Sequence, residues 1–98
     1  MRSAYDILGV PKGAGPEEIR AAYRELARDR HPDLHGGSSE ANERFLELRA
    51  AYELLRDPER RRAHDADPEA AMTDRIREEQ RLAQRKRRRE RLKRLYEE

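Results

Sequence analysis

Residues 22–33, AYRELARDRHPD, hold the end of an amphipathic helix and the proline that stops it. Four apolar residues of this helix, the first of them three residues before the stretch, repeat with helical spacing and predict one buried stripe: Ile19, Ala22, Tyr23 and Leu26. Pro32 disfavours helical backbone at His31, so we expect the helix to end near Arg30. His31-Pro32-Asp33 is therefore predicted to lie in a loop.

A second amphipathic segment follows this loop. Its apolar residues alternate at spacings of four and three: Ala41, Phe45, Leu48, Tyr52 and Leu55. Such a stripe suits an antiparallel helical partner. Ser3 with Asp6, and Asp57-Pro58-Glu59, have the spacing of helix starts, so short helices are expected at both flanks. No segment alternates with period two, and the predicted fold class is all-α, a four-helix domain around a helical hairpin. Its predicted core is Tyr5, Leu8, Ile19, Tyr23, Leu26, Phe45, Leu48, Tyr52 and Leu55.

Composition divides the chain in two. Of the 98 residues, 45% are charged, so a core cannot extend along the whole length. We predict a domain over residues 1–65, a linker over 66–73 and a charged, basic helical extension over 74–98. The sequence has no Cys, which excludes disulfides, thiolate zinc sites and a Cys nucleophile. No apolar run approaches the roughly 20 residues of a membrane span, and a cytoplasmic location is expected.

The loop after the first long helix allows several interpretations. His31, Asp33 and His35 could ligate a metal, but neither the helical H-E-x-x-H motif nor a thiolate accompanies them. A His–Asp pair could serve hydrolysis, but four short helices offer little room for a pocket. We predict no enzyme activity, no cofactor and no metal. From the residues alone, a helix stop followed by a turn is the favoured interpretation.

Residues 3–65 resemble the J-domain of the DnaJ co-chaperone family. The resemblance is carried by motifs in family order and spacing: Tyr5, Leu8-Gly9-Val10, Ile19, Ala22-Tyr23, Leu26-Ala27, His31-Pro32-Asp33, Phe45, Ala51-Tyr52 and Leu55. Each motif is weak by itself, but the whole series is specific.

The resemblance implies a hairpin of the second and third helices with the tripeptide exposed at its tip. J-domains do no chemistry themselves. They bind the ATP state of DnaK-type heat-shock chaperones and stimulate ATP hydrolysis. The chaperone-binding residues implied here are His31, Pro32, Asp33, Arg20, Tyr23, Arg24 and Arg28. The three Arg residues share one helix face, which would steer an acidic partner.

Several residues depart from the family pattern. Glu25 and Asp29 stand where Lys or Arg is usual, Arg30 where an aromatic residue is common, and His64 where Tyr is usual. After Asp65 the sequence shows neither a Gly/Phe-rich linker nor a Cys-rich zinc module. These departures bear on the strength of stimulation, or on the choice of cognate chaperone, more than on the fold.

The extension carries a basic run, RKRRRERLKR, at residues 85–94. Its eight basic residues are candidates for binding an anionic partner such as nucleic acid, a ribosome or an acidic protein: Arg85, Lys86, Arg87, Arg88, Arg89, Arg91, Lys93 and Arg94. The alternative function is thus a nucleic-acid- or ribosome-associated protein with the J-domain as an interaction module. The apolar residues of the extension hold no single stripe, so we expect a solvated helix, which could also serve solubility alone.

Overall fold

The computed structural model describes residues 2–97, which form five α-helices and no strand. The helices are α1 (Ala4–Leu8), α2 (Pro16–Asp29), α3 (Ser39–Arg56), α4 (Pro58–Ala66) and α5 (Pro68–Tyr96), with a 3₁₀ turn at Pro32–His35 between α2 and α3. The all-α prediction is confirmed. None of these helices is both long and apolar enough to cross a membrane.

Side-chain caps start most of the helices. The Ser3 hydroxyl accepts from the Asp6 N–H, and the Asp6 carboxylate accepts from the Ser3 N–H, both at 3.2 Å, which is the predicted capping box. Ser38, Asp57 and Asp67 each accept a backbone N–H at the start of α3, α4 and α5. Local chemistry therefore sets these boundaries.

The core is arranged around α3, which packs against all four other α-helices. Five of the predicted core residues are buried: Tyr5, Leu8, Ile19, Leu48 and Leu55. The other four are only half-buried: Tyr23, Leu26, Phe45 and Tyr52. The Tyr23 and Tyr52 rings stack with centroids 4.1 Å apart at the edge of the core. Tyrosine suits an edge, because its ring packs while its hydroxyl stays near water.

Small residues and α5 complete the core in ways that the apolar stripes did not predict. The additional buried residues are Ala4, Ile7, Ala14, Ala50, Ala51, Leu54 and Met72. The four alanines among them carry little apolar surface and stand out weakly in a hydrophobic pattern. Met72 lies within the segment expected to be a linker.

The region after α4 is helical almost without a break. Asp67-Pro68-Glu69 repeats the cap, proline and acid of the α4 start, so α5 begins at Pro68 and residues 68–73 belong to its first turns. Met72 is fully buried, and Ala71 and Ile76 pack on the core. The expectation of a solvated helix is therefore wrong for the first half of α5. From residue 84 onward the described residues of α5 are exposed, as expected.

Candidate functional site

The helices α2 and α3 form an antiparallel hairpin. Tyr23 of α2 contacts Tyr52 of α3. His31, eight residues after Tyr23, contacts Phe45, seven residues before Tyr52. Contacts that advance along one segment while they go back along the other define an antiparallel pair. The tripeptide therefore lies at the tip of the hairpin. His31 and Asp33 are exposed, Pro32 is half-buried, and the adjacent Leu34 is 68% exposed.

Contacts within the loop hold the tripeptide in place. Nδ1 of His31 accepts from the Asp33 N–H at 3.3 Å, so the imidazole caps the 3₁₀ turn. The same ring lies edge-on to Phe45 with centroids 5.6 Å apart. At the other end of the turn, the Gly37 N–H donates to the Pro32 carbonyl at 2.7 Å. Gly36 and Gly37 both have positive φ, which favours glycine.

This geometry decides which polar atoms the tip offers to a partner. Because Nδ1 of His31 accepts a hydrogen bond, the proton of the neutral imidazole is on Nε2, which can act as a donor. The Asp33 side chain is 88% exposed and offers charged acceptor oxygens. Donor and acceptor are thus displayed two residues apart on a backbone that Pro32 restricts.

The basic face of α2 leads to this tip. Arg20, Arg24 and Arg28 are exposed, and within residues 2–97 none of them forms an ion pair shorter than 4.0 Å. Glu25 and Asp29 lie on a neighbouring face of the helix and are exposed as well. Three guanidinium groups therefore face solvent along the helix that leads to the tripeptide, although two acids reduce the net charge of the helix.

Tyr23 stands between this basic face and the core. It is half-buried against Tyr52. Burial raises the pKa of its phenol, so the hydroxyl is a neutral donor and acceptor at physiological pH. Of the residues predicted to bind a chaperone, Tyr23 and Pro32 are half-buried and the other five are exposed.

No metal site was found around the loop. Among residues 2–97 there is no cluster of three or more His, Asp or Glu side chains that could hold an ion. Nε2 of His35 lies 3.0 Å from the Asp29 carbonyl oxygen, where it closes the end of α2 and is not directed at Asp33. The hypothesis of a site formed by His31, Asp33 and His35 therefore has no support in the geometry.

A polar cluster joins α1 to α4, and sequence reasoning missed it. His64 is 1% exposed, and its Nε2 accepts from the Ala4 N–H at 3.0 Å. Asp65 accepts from the Tyr5 hydroxyl at 2.8 Å and lies 3.1 Å from Nδ1 of His64. Arg61 donates to the same hydroxyl at 2.9 Å. His64, which departs from the family pattern, thus ties the two helices together.

These contacts shift two pKa values. Burial raises the pKa of Tyr5, and its hydrogen bond to Asp65 raises it further. Burial alone would raise the pKa of Asp65, but hydrogen bonds from His64 and Tyr5 outweigh it and lower the pKa. The carboxylate is therefore favoured in the folded protein.

The basic run of α5 lies apart from the core. The side chains of residues 85–94 are all exposed. We call this segment the basic arm. The eight residues predicted to bind an anionic partner are all on it.

Comparison with known proteins identifies the family. The DnaJ domain family matches residues 3–65, and the chain belongs to this family. It is 54% identical over 67 residues to "Chaperone protein DnaJ" of Caldicellulosiruptor saccharolyticus, with 68% of this chain and 17% of that protein covered. It is 48% identical over 64 residues to "DnaJ protein ERDJ3B" of Oryza sativa subsp. japonica, with 65% of this chain and 18% of that protein covered.

A solved structure shows the same fold. The J-Trx1 fragment of ERdj5 superposes with a TM-score of 0.64 at 37% identity, covering 69% of this chain and 33% of that one. The chain spans about one sixth of the length of the DnaJ relatives it matches. The family consists of non-catalytic co-chaperones, which confirms the prediction that this chain is not an enzyme.

Proposed function

We propose that this chain is a co-chaperone that binds a DnaK-type heat-shock chaperone and stimulates its ATP hydrolysis. One observation carries the proposal: in a DnaJ-domain chain, His31-Pro32-Asp33 is displayed at the braced tip of the α2–α3 hairpin. A preformed loop loses little conformational entropy on binding, which favours recognition over a helix stop without function.

The proposed contact surface has a polar tip and a basic side. Nε2–H of His31 would donate, and the carboxylate of Asp33 would accept, while Pro32 keeps both in register. Arg20, Arg24 and Arg28, with Tyr23 beside them, would orient an acidic partner along α2. This division predicts that tip substitutions abolish stimulation, whereas side substitutions weaken it by degrees.

The first prediction concerns His31. His31→Gln should abolish stimulation, because the amide cannot reproduce both the turn cap and the outward donor. The measurement is single-turnover ATP hydrolysis by DnaK-type chaperones, with and without the full chain. His35→Gln is the matched control, since it changes an exposed histidine of the same loop outside the tripeptide.

Both variants should melt close to wild type, because both side chains are exposed. If His31→Gln stimulates as well as wild type, with a chaperone that wild type clearly activates, the tripeptide is only a helix stop.

A second candidate function rests on the basic arm. Its eight exposed basic side chains could contact phosphates, and the chain would then be a nucleic-acid- or ribosome-associated protein. Binding to a DNA duplex that weakens steeply with salt would support this alternative.

The cytoplasm stays the predicted compartment, and cell fractionation tests it.

A further inference from the structure

The helix α5 runs antiparallel to α3 in a defined register. Arg75 of α5 lies 4.0 Å from Glu53 of α3. Glu79, one turn after Arg75, lies 3.1 Å from Arg49, one turn before Glu53. Beyond these pairs the two helices line one groove, in which Asn42 and Phe45 of α3 stand opposite later residues of α5, from Leu82 to Arg87.

Buried charge holds this register. The Glu79 side chain is 3% exposed and accepts from Arg75 Nε at 3.0 Å as well as pairing with Arg49. A buried carboxylate without a partner costs several kcal/mol, so sliding α5 by one turn would be unfavourable. Met72, fully buried about two turns before Glu79, fixes the same placement.

The register carries the basic arm to the tip of the hairpin. Ten residues beyond the Arg49–Glu79 pair, Arg89 comes level with Ser39, the first residue of α3. Residues 90–96 then continue for about 10 Å past that level, at 1.5 Å per residue. The arm therefore projects alongside the loop that holds the tripeptide.

The docked half of α5 comes near α2 at Tyr23. Glu79 and Arg49 are among the charged groups close enough to act on the Tyr23 hydroxyl. On α2, Tyr23 separates the core from the basic face, and both α2 and α5 run toward the tip of the hairpin. Two positively charged surfaces thus border the same tip.

We propose that the basic arm is a second contact for the DnaK-type chaperone that docks on the tripeptide, engaging an acidic surface of that partner. The inference rests on the proposed function and adds residues outside the family match at 3–65. Charge complementarity carries it, because a protein that accepts the basic face of α2 meets a second basic surface at the same end.

Helical geometry separates the arm into two sides. Glu79 faces α3, and each following residue is rotated by 100° around the axis of α5. Three basic residues of the arm lie within about 60° of the direction of Glu79 and therefore face the hairpin: Lys86, Lys93 and Arg94. Three others lie on the opposite side: Arg85, Arg88 and Arg91. A partner seated on the tip meets the first side.

Two triple variants of the full chain test the proposal. The inner variant carries Lys86→Gln, Lys93→Gln and Arg94→Gln; the outer variant carries Arg85→Gln, Arg88→Gln and Arg91→Gln. Both remove three charges from the same exposed helix segment. The measurement is the concentration that gives half-maximal stimulation of single-turnover ATP hydrolysis, at low and at high salt.

The inner variant should raise the half-maximal concentration roughly 5- to 20-fold at low salt, and the outer variant by less than about two-fold. The difference should shrink at high salt, since screening already weakens the wild-type contact. Equal effects of the two variants, or unchanged or stronger stimulation by the inner one, would overturn the proposal. If both triple variants lose binding to a DNA duplex equally and still stimulate ATP hydrolysis as wild type does, the arm binds nucleic acid instead.

The two proposals fail separately. If wild type stimulates and the triple variants do not differ, only the role of the arm is refuted. If wild type stimulates no chaperone while it remains folded, the co-chaperone function itself is refuted, and the arm contact with it.

Discussion

At the scale of single residues, the histidine before the 3₁₀ turn and the histidine of α4 have different structural roles. His31 is exposed and caps a turn through Nδ1, which leaves Nε2–H as the donor of the ring. His64 is buried and accepts the Ala4 N–H, so it joins α4 to α1. The tripeptide was recognisable from its sequence. The role of His64 was not, because its partner is sixty residues away.

The polar cluster beside His64 predicts a dependence of stability on pH. Hydrogen bonds lower the pKa of Asp65 in the folded protein, so its ionisation stabilises the fold at neutral pH. This contribution is present above the unfolded-state pKa of about 3.9 and is lost as pH falls through the lower, folded-state value. The free energy of unfolding should therefore decrease with acidification below about pH 4.

Urea unfolding between about pH 2 and pH 6 measures this effect. Asp65→Asn should be less stable than wild type at neutral pH and should lose less stability on acidification. Asp74→Asn, at an exposed position of α5, is the control and should follow wild type. Parallel pH profiles for wild type and Asp65→Asn would contradict the assignment.

At the scale of elements, α5 depends on a charge placed within its packing face. Met72, Ile76, Glu79 and Ala83 recur at helical spacing, but a carboxylate interrupts the apolar stripe. A pattern that scores apolar residues misses such a stripe. The face becomes visible only when Arg49 of α3 is seen to pair with Glu79.

Glu79→Ala should therefore cost about 1–3 kcal/mol of unfolding free energy, because it leaves the half-buried Arg75 without its carboxylate. Urea unfolding at neutral pH measures the loss. Glu79→Met should cost less, since an apolar side chain of similar length fills the site, although Arg75 then keeps only the more distant carboxylate of Glu53. Gln80→Ala, at the exposed neighbouring position, is the control. A loss as small as that of Gln80→Ala would mean that the ion pairs do not secure α5.

At the scale of the whole molecule, the helices α1–α4 and the docked half of α5 share one core. Tyr5, Ile19 and Leu48 are buried within the first four helices, and Met72 of α5 belongs to the same core. The helix α5 packs against α3 and α4. The division into a domain over residues 1–65 and an extension after it stays a prediction. The docking of α5 makes complete independence of the two parts unfavourable.

Removal of residues 67–98 tests this organisation. The shortened chain should stay folded, because the hairpin and its cap by α1 and α4 remain, but it should lose about 2–4 kcal/mol because the core surface that Met72 covers becomes exposed. Circular dichroism and urea unfolding measure both points, with the full chain as reference. An unchanged stability would show that α5 does not dock in solution. Complete unfolding would show that residues 1–66 are not a unit.

The sequence by itself determined the starts of α1–α4, the α2–α3 hairpin and the position of His31-Pro32-Asp33. These features depend on local rules: a cap within three residues, a proline that ends a helix, and an apolar residue every third or fourth position. Only the tertiary structure decided where Glu79, His64 and the basic arm lie. A buried polar side chain is stable only beside its partner, and the partners Arg49 and Ala4 are brought there by folding, over separations of thirty and sixty residues.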